Sequence, residues 1–333
     1  MALTLAVETK RFKLREAFTI SRGTRTEVTV VEARLSDGTH EGRGECVPYP
    51  RYGESPESVV SAIEGMREQI AGGLVRVALQ SALPAGAARN ALDLAFWDLE
   101  AKQAGLRVWQ LDAYKALGGW IPGPIHTAYT LSLDTPAAMG KAAAANAQRP
   151  ILKIKLGGGA EDIDRLKAVR AGAPDTRLVV DANEGWQVLD YGNNVLKLKN
   201  LGVEVIEQPV PAKADAPLAK LSRPVPLCAD ESCHDRATLP QVAGKYDMIN
   251  IKLDKAGGLT EALELRRAGE AEGFRIMVGC MMSTSLGVAP AVLLAAGTAL
   301  VDLDPPMLLA EDRDPALVVD EAGIHPPEPA LWG

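Results

Sequence analysis

The chain has 333 residues, beyond the range in which one hydrophobic core usually keeps growing, so two domains or a large barrel with additions are expected. Hydrophobic residues make up 47% and charged residues 24%, ordinary globular values that exclude a disordered chain. A net charge of −7 without a long basic run argues against a phosphate-backbone partner, and aromatics at 5% argue against base-stacking platforms, so no nucleic acid is expected.

Residues 1–8 carry no basic leader and too short an apolar stretch for a signal peptide. Four cysteines (Cys46, Cys228, Cys233, Cys280) do not make a disulfide scaffold in a chain this long, so a reducing cytoplasm is expected. Leu3, Leu5 and Val7, then Val28, Val30, Val31, Ala33 and Leu35, alternate in strand fashion around a polar loop at 21–25. Residues 42–54, rich in Gly, Pro and Tyr, read as a structured loop. A helix start at Ser55-Pro56-Glu57-Ser58 leads an apolar stripe at Val59, Ile63, Met66 and Ile70, and 86–102 carries another at Leu92, Ala95 and Leu99. These elements predict a small α+β domain over residues 1–120.

From about residue 124 the chain repeats. Short apolar runs end in a polar residue at 126–130, 151–155, 178–181, 203–207, 226–230, 248–252, 276–280 and 300–302. They recur roughly every 25 residues with helical stretches between most of them, which predicts an α/β fold closed as a (β/α) barrel over residues 121–307. An open doubly wound sheet is the alternative, and the eight-fold regularity favours closure. The most apolar window, 287–301, is broken by Pro290 and Gly297 and is too short to span a bilayer, so it predicts a buried helix leading into a strand and no membrane partner. Residues 308–333 are too few for an eighth long helix and are expected to return to the first domain.

Six of seven consecutive strand ends, from the second to the eighth, are ionisable: Lys155, Asp181, Glu207, Asp230, Lys252 and Asp302. In such a barrel the strand C-termini build the active site. Asp181, Glu207 and Asp230 end three neighbouring strands; crowded carboxylates call for a cation, and hard oxygen ligands suit Mg²⁺. Lys153 and Lys155 share one face of their strand, which must be the interior. Lys155 and Lys252 stand four strands apart in a ring of eight and therefore face each other across the mouth. Asp302 and Asp304 share a face opposite the fourth strand. Two opposed lysines flanking a metal-bound carboxylate suit removal and return of an α-proton through an enediolate, with neighbouring cations lowering the lysine pKa. This arrangement predicts a racemase, an epimerase or a related proton-abstracting enzyme.

The set Lys153-Ile154-Lys155, Asp181-Ala182-Asn183, Glu207-Gln208-Pro209, Asp230-Glu231-Ser232 and Lys252-Leu253-Asp254-Lys255-Ala256-Gly257-Gly258 resembles the enolase superfamily, muconate-lactonizing subgroup. A lysine base with Mg²⁺ at an enediolate is a known arrangement of that superfamily. Adding Asp302-Leu303-Asp304 narrows the resemblance to the dipeptide epimerases, and the segments at 44–55, 83–90 and 229–234 are similar to the bacterial L-Ala-D/L-Glu epimerases. The resemblance implies a modified (β/α)₇β TIM-like barrel with an enolase-like N-terminal α+β capping domain completed by 308–333. It implies one Mg²⁺ per subunit on Asp181, Glu207 and Asp230, and an acid/base pair of Lys155 and Lys252. It also implies substrate contacts from Thr130, Lys153 and Cys280, an ammonium site at Asp302 and Asp304, and a closing loop whose Arg22, or less directly Arg25, pairs with an acidic side chain. The implied reaction interconverts L-Ala-D-Glu and L-Ala-L-Glu in murein peptide recycling, with homo-oligomer formation left open.

Gly157-Gly158-Gly159 and Pro305-Pro306 depart from the relatives' pattern beside the site. Cys280 has no histidine placed near it and reads as a small lining residue; His234 lies beyond the ligand position and reads as structural. Muconate cycloisomerase, o-succinylbenzoate synthase and N-acylamino acid racemase share the lysines and metal, but none has a free ammonium to offer Asp302 and Asp304. A Schiff-base aldolase and a non-catalytic metal-binding scaffold are the readings from other classes.

Overall fold

A computed structural model describes residues 2–333. Its N-terminal part is an antiparallel sheet of β1 (Thr4–Ile20), β2 (Gly23–Ser36) and β3 (Glu41–Cys46), ordered β1-β2-β3. The expected loop at 21–25 is tighter than its polarity implied: Ile20 already pairs with Gly23, and Ser21-Arg22 form the turn. The expected loop at 42–54 is corrected at its start, because β3 pairs Val31 through Ser36 with Cys46 through Glu41. Ser55 caps the helix Pro56–Glu64 through a reciprocal bond with Ser58. The predicted stripe to Ile70 is divided, since the chain breaks at Gly65 and restarts as Arg67–Ala71. The long helix Ala87–Ala104 lies across β2 and β3.

Eight parallel strands follow: β4 (Tyr129–Leu131), β5 (Ile151–Lys155), β6 (Arg177–Asp181), β7 (Val203–Glu207), β8 (Leu227–Ala229), β9 (Met248–Ile251), β10 (Arg275–Gly279) and β11 (Leu300–Asp302). The seam between first and last is bridged by Ala128 N–H to Val301 O at 2.8 Å and Leu303 N–H to Thr127 Oγ1 at 2.7 Å, so the sheet is a nearly closed barrel and not an open one. Between β7 and β8 only two 3₁₀ turns occur, Ala212–Ala214 and Ala216–Lys220. The apolar window becomes the buried helix Ser285–Ala295, which leads into β11 as expected.

Alternation along the strands separates two surfaces. Leu152, Ile154, Leu178, Val180, Ile206, Ile249 and Val278 face outward beneath the helices. Inside, Ala128, Ile151, Val179, Val205, Cys228, Met248, Met277 and Leu300 form one apolar layer, each strand contributing one residue and Ala128 standing just before β4.

The tail returns to the first part. Leu309 bridges Leu14, Trp332 Nε1 donates to Leu94 O at 3.1 Å, and Gly333 N donates to Asp98 Oδ1 at 2.7 Å. Buried Glu45 on β3 accepts from Thr284 N at 2.9 Å and pairs with Arg313 Nη2 at 2.5 Å, so sheet, barrel helix and tail meet at one carboxylate.

Candidate active site

Two residues above six of the eight members of the apolar layer, the same interior face becomes ionisable or amide-bearing; above Ala128 stands Thr130, and above Met277 stands Gly279. Ile151 is followed by Lys153 and Lys155, Val179 by Asp181, Val205 by Glu207, Cys228 by Asp230, Met248 by Asn250 and Lys252, and Leu300 by Asp302 and Asp304. All of these polar residues are buried. Period-two alternation therefore delivers the ionisable strand ends to one interior surface, as the sequence predicted.

Lys153 Nζ lies 2.6 Å from Glu207 Oε2, 2.6 Å from Asp302 Oδ2 and 3.3 Å from Asp181 Oδ2. Lys155 Nζ sits 2.6 Å from Asp181 Oδ2, and Lys252 Nζ sits 2.6 Å from Asp230 Oδ2. Burial alone would depress Lys153 and Lys252, but the facing carboxylates outweigh it and hold both well above the ordinary lysine value. The lowered lysine pKa expected from neighbouring cations is corrected here for these two residues: carboxylates stand closer. Burial would likewise raise Asp181, yet Lys155 and Lys153 hold it at about 2. Burial and then Asp181 push Glu207 up to about 7.

Among the described residues no three His, Cys, Asp or Glu side chains converge as a ready-made metal cage. The reason is visible: ammonium groups stand between the carboxylates. The donor set nevertheless fits a hard cation. Glu207 Oε2 receives no aligned hydrogen bond despite its 2.6 Å approach to Lys153, while Asn250 Nδ2 fixes its Oε1 at 2.8 Å. Asp181 is oriented by Asn183, whose N and Nδ2 donate to Oδ1 at 2.8 Å and Oδ2 at 3.0 Å. Asp230 Oδ1 is held by Lys255 Nζ at 2.7 Å. Asn250 and Lys255 were missed in the sequence. Position two before Lys252 marks Asn250 as inward-facing; Lys255 carries no comparable signal because it lies in the short helix Leu253–Ala256.

A cavity above this layer is lined by Arg22, Arg25, Thr130, Lys155, Lys252, Cys280, Asp302 and Asp304, with Tyr49, Tyr52, Met281 and Leu308 among its walls. Asp304 Oδ2 accepts from Thr130 N at 2.7 Å, and burial, then Asp302, push the Asp304 carboxyl up to about 7. Cys280 Sγ approaches Asp302 O at 3.6 Å and burial raises its thiol, which suits a lining residue. His234 bonds the Glu231 carbonyl at 3.2 Å and meets the Tyr52 ring edge-on. Arg22 enters the site already engaged, 2.8 Å from Glu231 Oε1 and 2.8 Å from Asn183 O. Arg25 lies over the Tyr49 ring and makes no ion pair among the described residues.

Residues 2–111 match the model of the mandelate racemase/muconate lactonizing enzyme N-terminal domain, and residues 137–329 match the enolase C-terminal domain-like model. The chain is 43% identical to the L-Ala-D/L-Glu epimerase of Escherichia coli K12 over 97% of its own length and 99% of that protein. It is 42% identical to an N-acetyl-D-glutamate racemase of a Pseudoalteromonas species, covering 90% of this chain and 93% of that one. An enolase family member from Agrobacterium tumefaciens with homology to dipeptide epimerases, solved with sodium, L-Ala-L-Glu and an ordered loop, superposes with a TM-score of 0.95 at 52% identity, over 99% of this chain and 100% of that one. A dipeptide epimerase from Enterococcus faecalis V583, complexed with Mg and L-Leu-L-Tyr, superposes with a TM-score of 0.88 at 30% identity, over 98% of both chains. With both domain models matched and lysines and carboxylates gathered at one barrel mouth, this chain belongs to the mandelate racemase/muconate lactonizing enzyme family of the enolase superfamily and is an isomerase of its epimerase and racemase branch.

Proposed function

We propose that this enzyme epimerises dipeptides at the α-carbon of the C-terminal residue, with L-Ala-L-Glu and L-Ala-D-Glu as its substrate pair. The observation that carries the reading is the shared cavity: Lys155 and Lys252 line it from opposed strands, together with the two aspartates Asp302 and Asp304. One lysine, as the neutral amine, takes the α-proton at Nζ. The other, as ammonium, delivers a proton to the opposite face, so the stereocentre inverts. Release of a proton to solvent from the first lysine and uptake of one by the second restores the starting state.

Asp181, Glu207 and Asp230 would hold one Mg²⁺. When bound it would supply positive charge that acidifies the α-proton of a neighbouring carboxylate and offsets the hold of these side chains on the lysines. Lys153, between Glu207 and Asp302, stabilises negative charge developing on the substrate carboxylate. Asp302 is already paired with Lys153, so Asp304, poorly neutralised and positioned by Thr130, is the anion left for a dipeptide's ammonium. Cys280 lines the site. Because Arg22 is engaged by Glu231, an acidic substrate side chain is assigned to Arg25. Residues 1–120 with 308–333 form the cap in this reading, and 121–307 the catalytic barrel. The setting it supports is recycling of murein peptides in the cytoplasm.

A second reading, racemisation of an N-acylated glutamate, is favoured by the 42% identical racemase. Free and N-acetylated substrates separate the two. Turnover of L-Ala-L-Glu with deuterium entering the C-terminal α-carbon in D₂O is expected, with N-acetyl-L-Ala-L-Glu and N-acetyl-D-glutamate slower by about 30-fold or more in kcat/KM, the scale of a lost charge-assisted hydrogen bond. Asp304→Asn should erase most of that preference. Equal or better turnover of the acetylated compounds would transfer the assignment to the racemase reading.

A further inference from the structure

We propose that Arg22 is a positioning residue that locks the β1–β2 turn onto the two loops leaving Asp181 and Asp230. The proposal rests on the reading that those carboxylates hold a divalent cation. Arg22 closes the two-residue turn, and its guanidinium reaches four acceptors. Nη1 donates to Asn183 O at 2.8 Å and lies 3.5 Å from Glu184 Oε2. Nη2 donates to Tyr49 Oη at 3.0 Å and pairs with Glu231 Oε1 at 2.8 Å. Ser21 Oγ adds a second donor to Asn183 O at 2.9 Å.

Two of the four docking points are one step from a candidate ligand. Asn183 holds both oxygens of Asp181, and Glu231 directly follows Asp230. Asn183 and Glu184 adopt φ of 45° and 65°, a left-handed backbone that non-glycine residues keep only when surrounding contacts hold it. Arg22 and Ser21 provide such contacts from across the cavity. Glu184 is braced from the same side by Arg51, whose Nε and Nη2 each lie 2.7 Å from its oxygens.

Charge allows the arrangement beside a cation site. Two guanidiniums, Arg22 and Arg51, meet two carboxylates, Glu184 and Glu231, so this four-residue contact balances its own charge and leaves Arg25 as the cation that the turn brings to the cavity. Arg22 thus has a different task from Arg25, three residues on, which the same turn carries to the cavity wall. A cation that fixes the loops after Asp181 and Asp230 would fix the surface on which Arg22 docks. By linkage, docking would raise cation affinity by the same factor.

The test is backbone hydrogen exchange at residues 18–25 of the full-length protein with and without Mg²⁺, paired with calorimetric Mg²⁺ titration. In wild type, Mg²⁺ should slow exchange there by roughly tenfold, a usual size for coupling between sites. In Arg22→Met the slowing should vanish and the Mg²⁺ Kd should weaken by a matching factor. Arg22→Lys, which keeps the charge but not the fork, should recover only part of both. Wild type that binds Mg²⁺ without any change at 18–25, or Arg22→Met that binds Mg²⁺ as tightly as wild type, overturns the proposal. Wild type that binds no Mg²⁺ overturns the cation reading itself, and this proposal with it.

Discussion

The barrel interior has two layers that share strands, backbone and burial but nothing else. The lower, from Ala128 to Leu300, is wholly apolar; the upper, two to four residues further along six of the strands, carries five carboxylates and three lysines in Asp181, Glu207, Asp230, Asp302, Asp304, Lys153, Lys155 and Lys252. Apolar packing in the lower layer gains free energy from removing hydrocarbon from water and asks for no partners. Charges in the upper layer are costly to desolvate and persist only by pairing with one another. Apolar packing thus resides in one layer and paired charge in the next.

The separation can be broken by mutation. Lys155→Ala and Lys252→Ala should each reduce epimerisation by at least about 10³-fold, within the range for losing a positioned acid or base. Each should still exchange the α-proton of one epimer with solvent, and the two variants should favour opposite epimers when followed by NMR in D₂O. If both exchanged the same epimer, the opposed pair would be refuted. Met277→Ala and Ile151→Ala in the lower layer should behave in the opposite way: denaturant titration should show a loss of about 3 kcal/mol, the usual cost of a buried large-to-small change, with kcat/KM largely unchanged. A large fall in kcat/KM for either would mean that the layers are not independent.

Asp254 sharpens the comparison, because it is a buried carboxyl outside the upper layer with no cation in contact. Its Oδ1 accepts from Val47 N and Asn90 Nδ2, both at 2.9 Å, and burial pushes its carboxyl from 3.8 up to about 7. A folded-state pKa above the unfolded value means that the folded protein binds more protons between them, so stability falls as pH rises from about 4 to about 7. Asp254→Asn should remove on the order of 4 kcal/mol of that pH-dependent change in thermal or denaturant unfolding across this window. An unchanged slope would show that Asp254 is ionised throughout.

The layered interior was legible because strand periodicity is strict. Lys153 and Lys155 had to face the same way, and the recurring polar strand ends had to gather at one mouth. What escaped was set by contacts distant in sequence. β3 was hidden by Gly42 and Gly44, which weaken a strand pattern, yet a Cβ at either would come within 2.1 Å of a carbonyl of the helix Ala87–Ala104. The glycines mark close packing, not a loop. The Arg22 bond to Glu231 escaped because nothing near Arg22 in sequence announces a partner over two hundred residues on. The lysine pKa shifts were misjudged for a related reason: sequence order places like charges in a ring but does not tell which opposite charge is nearest.

Glu45 carries a consequence for the order in which this chain can be assembled during synthesis. Thr284 follows it by 239 residues and Arg313 by 268. At ribosomal rates of roughly 5–20 residues per second, the guanidinium appears roughly 15–50 s after the carboxylate it neutralises. Over that interval β3 can pair with β2, but the Glu45 side chain has no cation to accompany it into the interior. The N-terminal sheet therefore starts first and finishes last, sealed only when the barrel has already been translated.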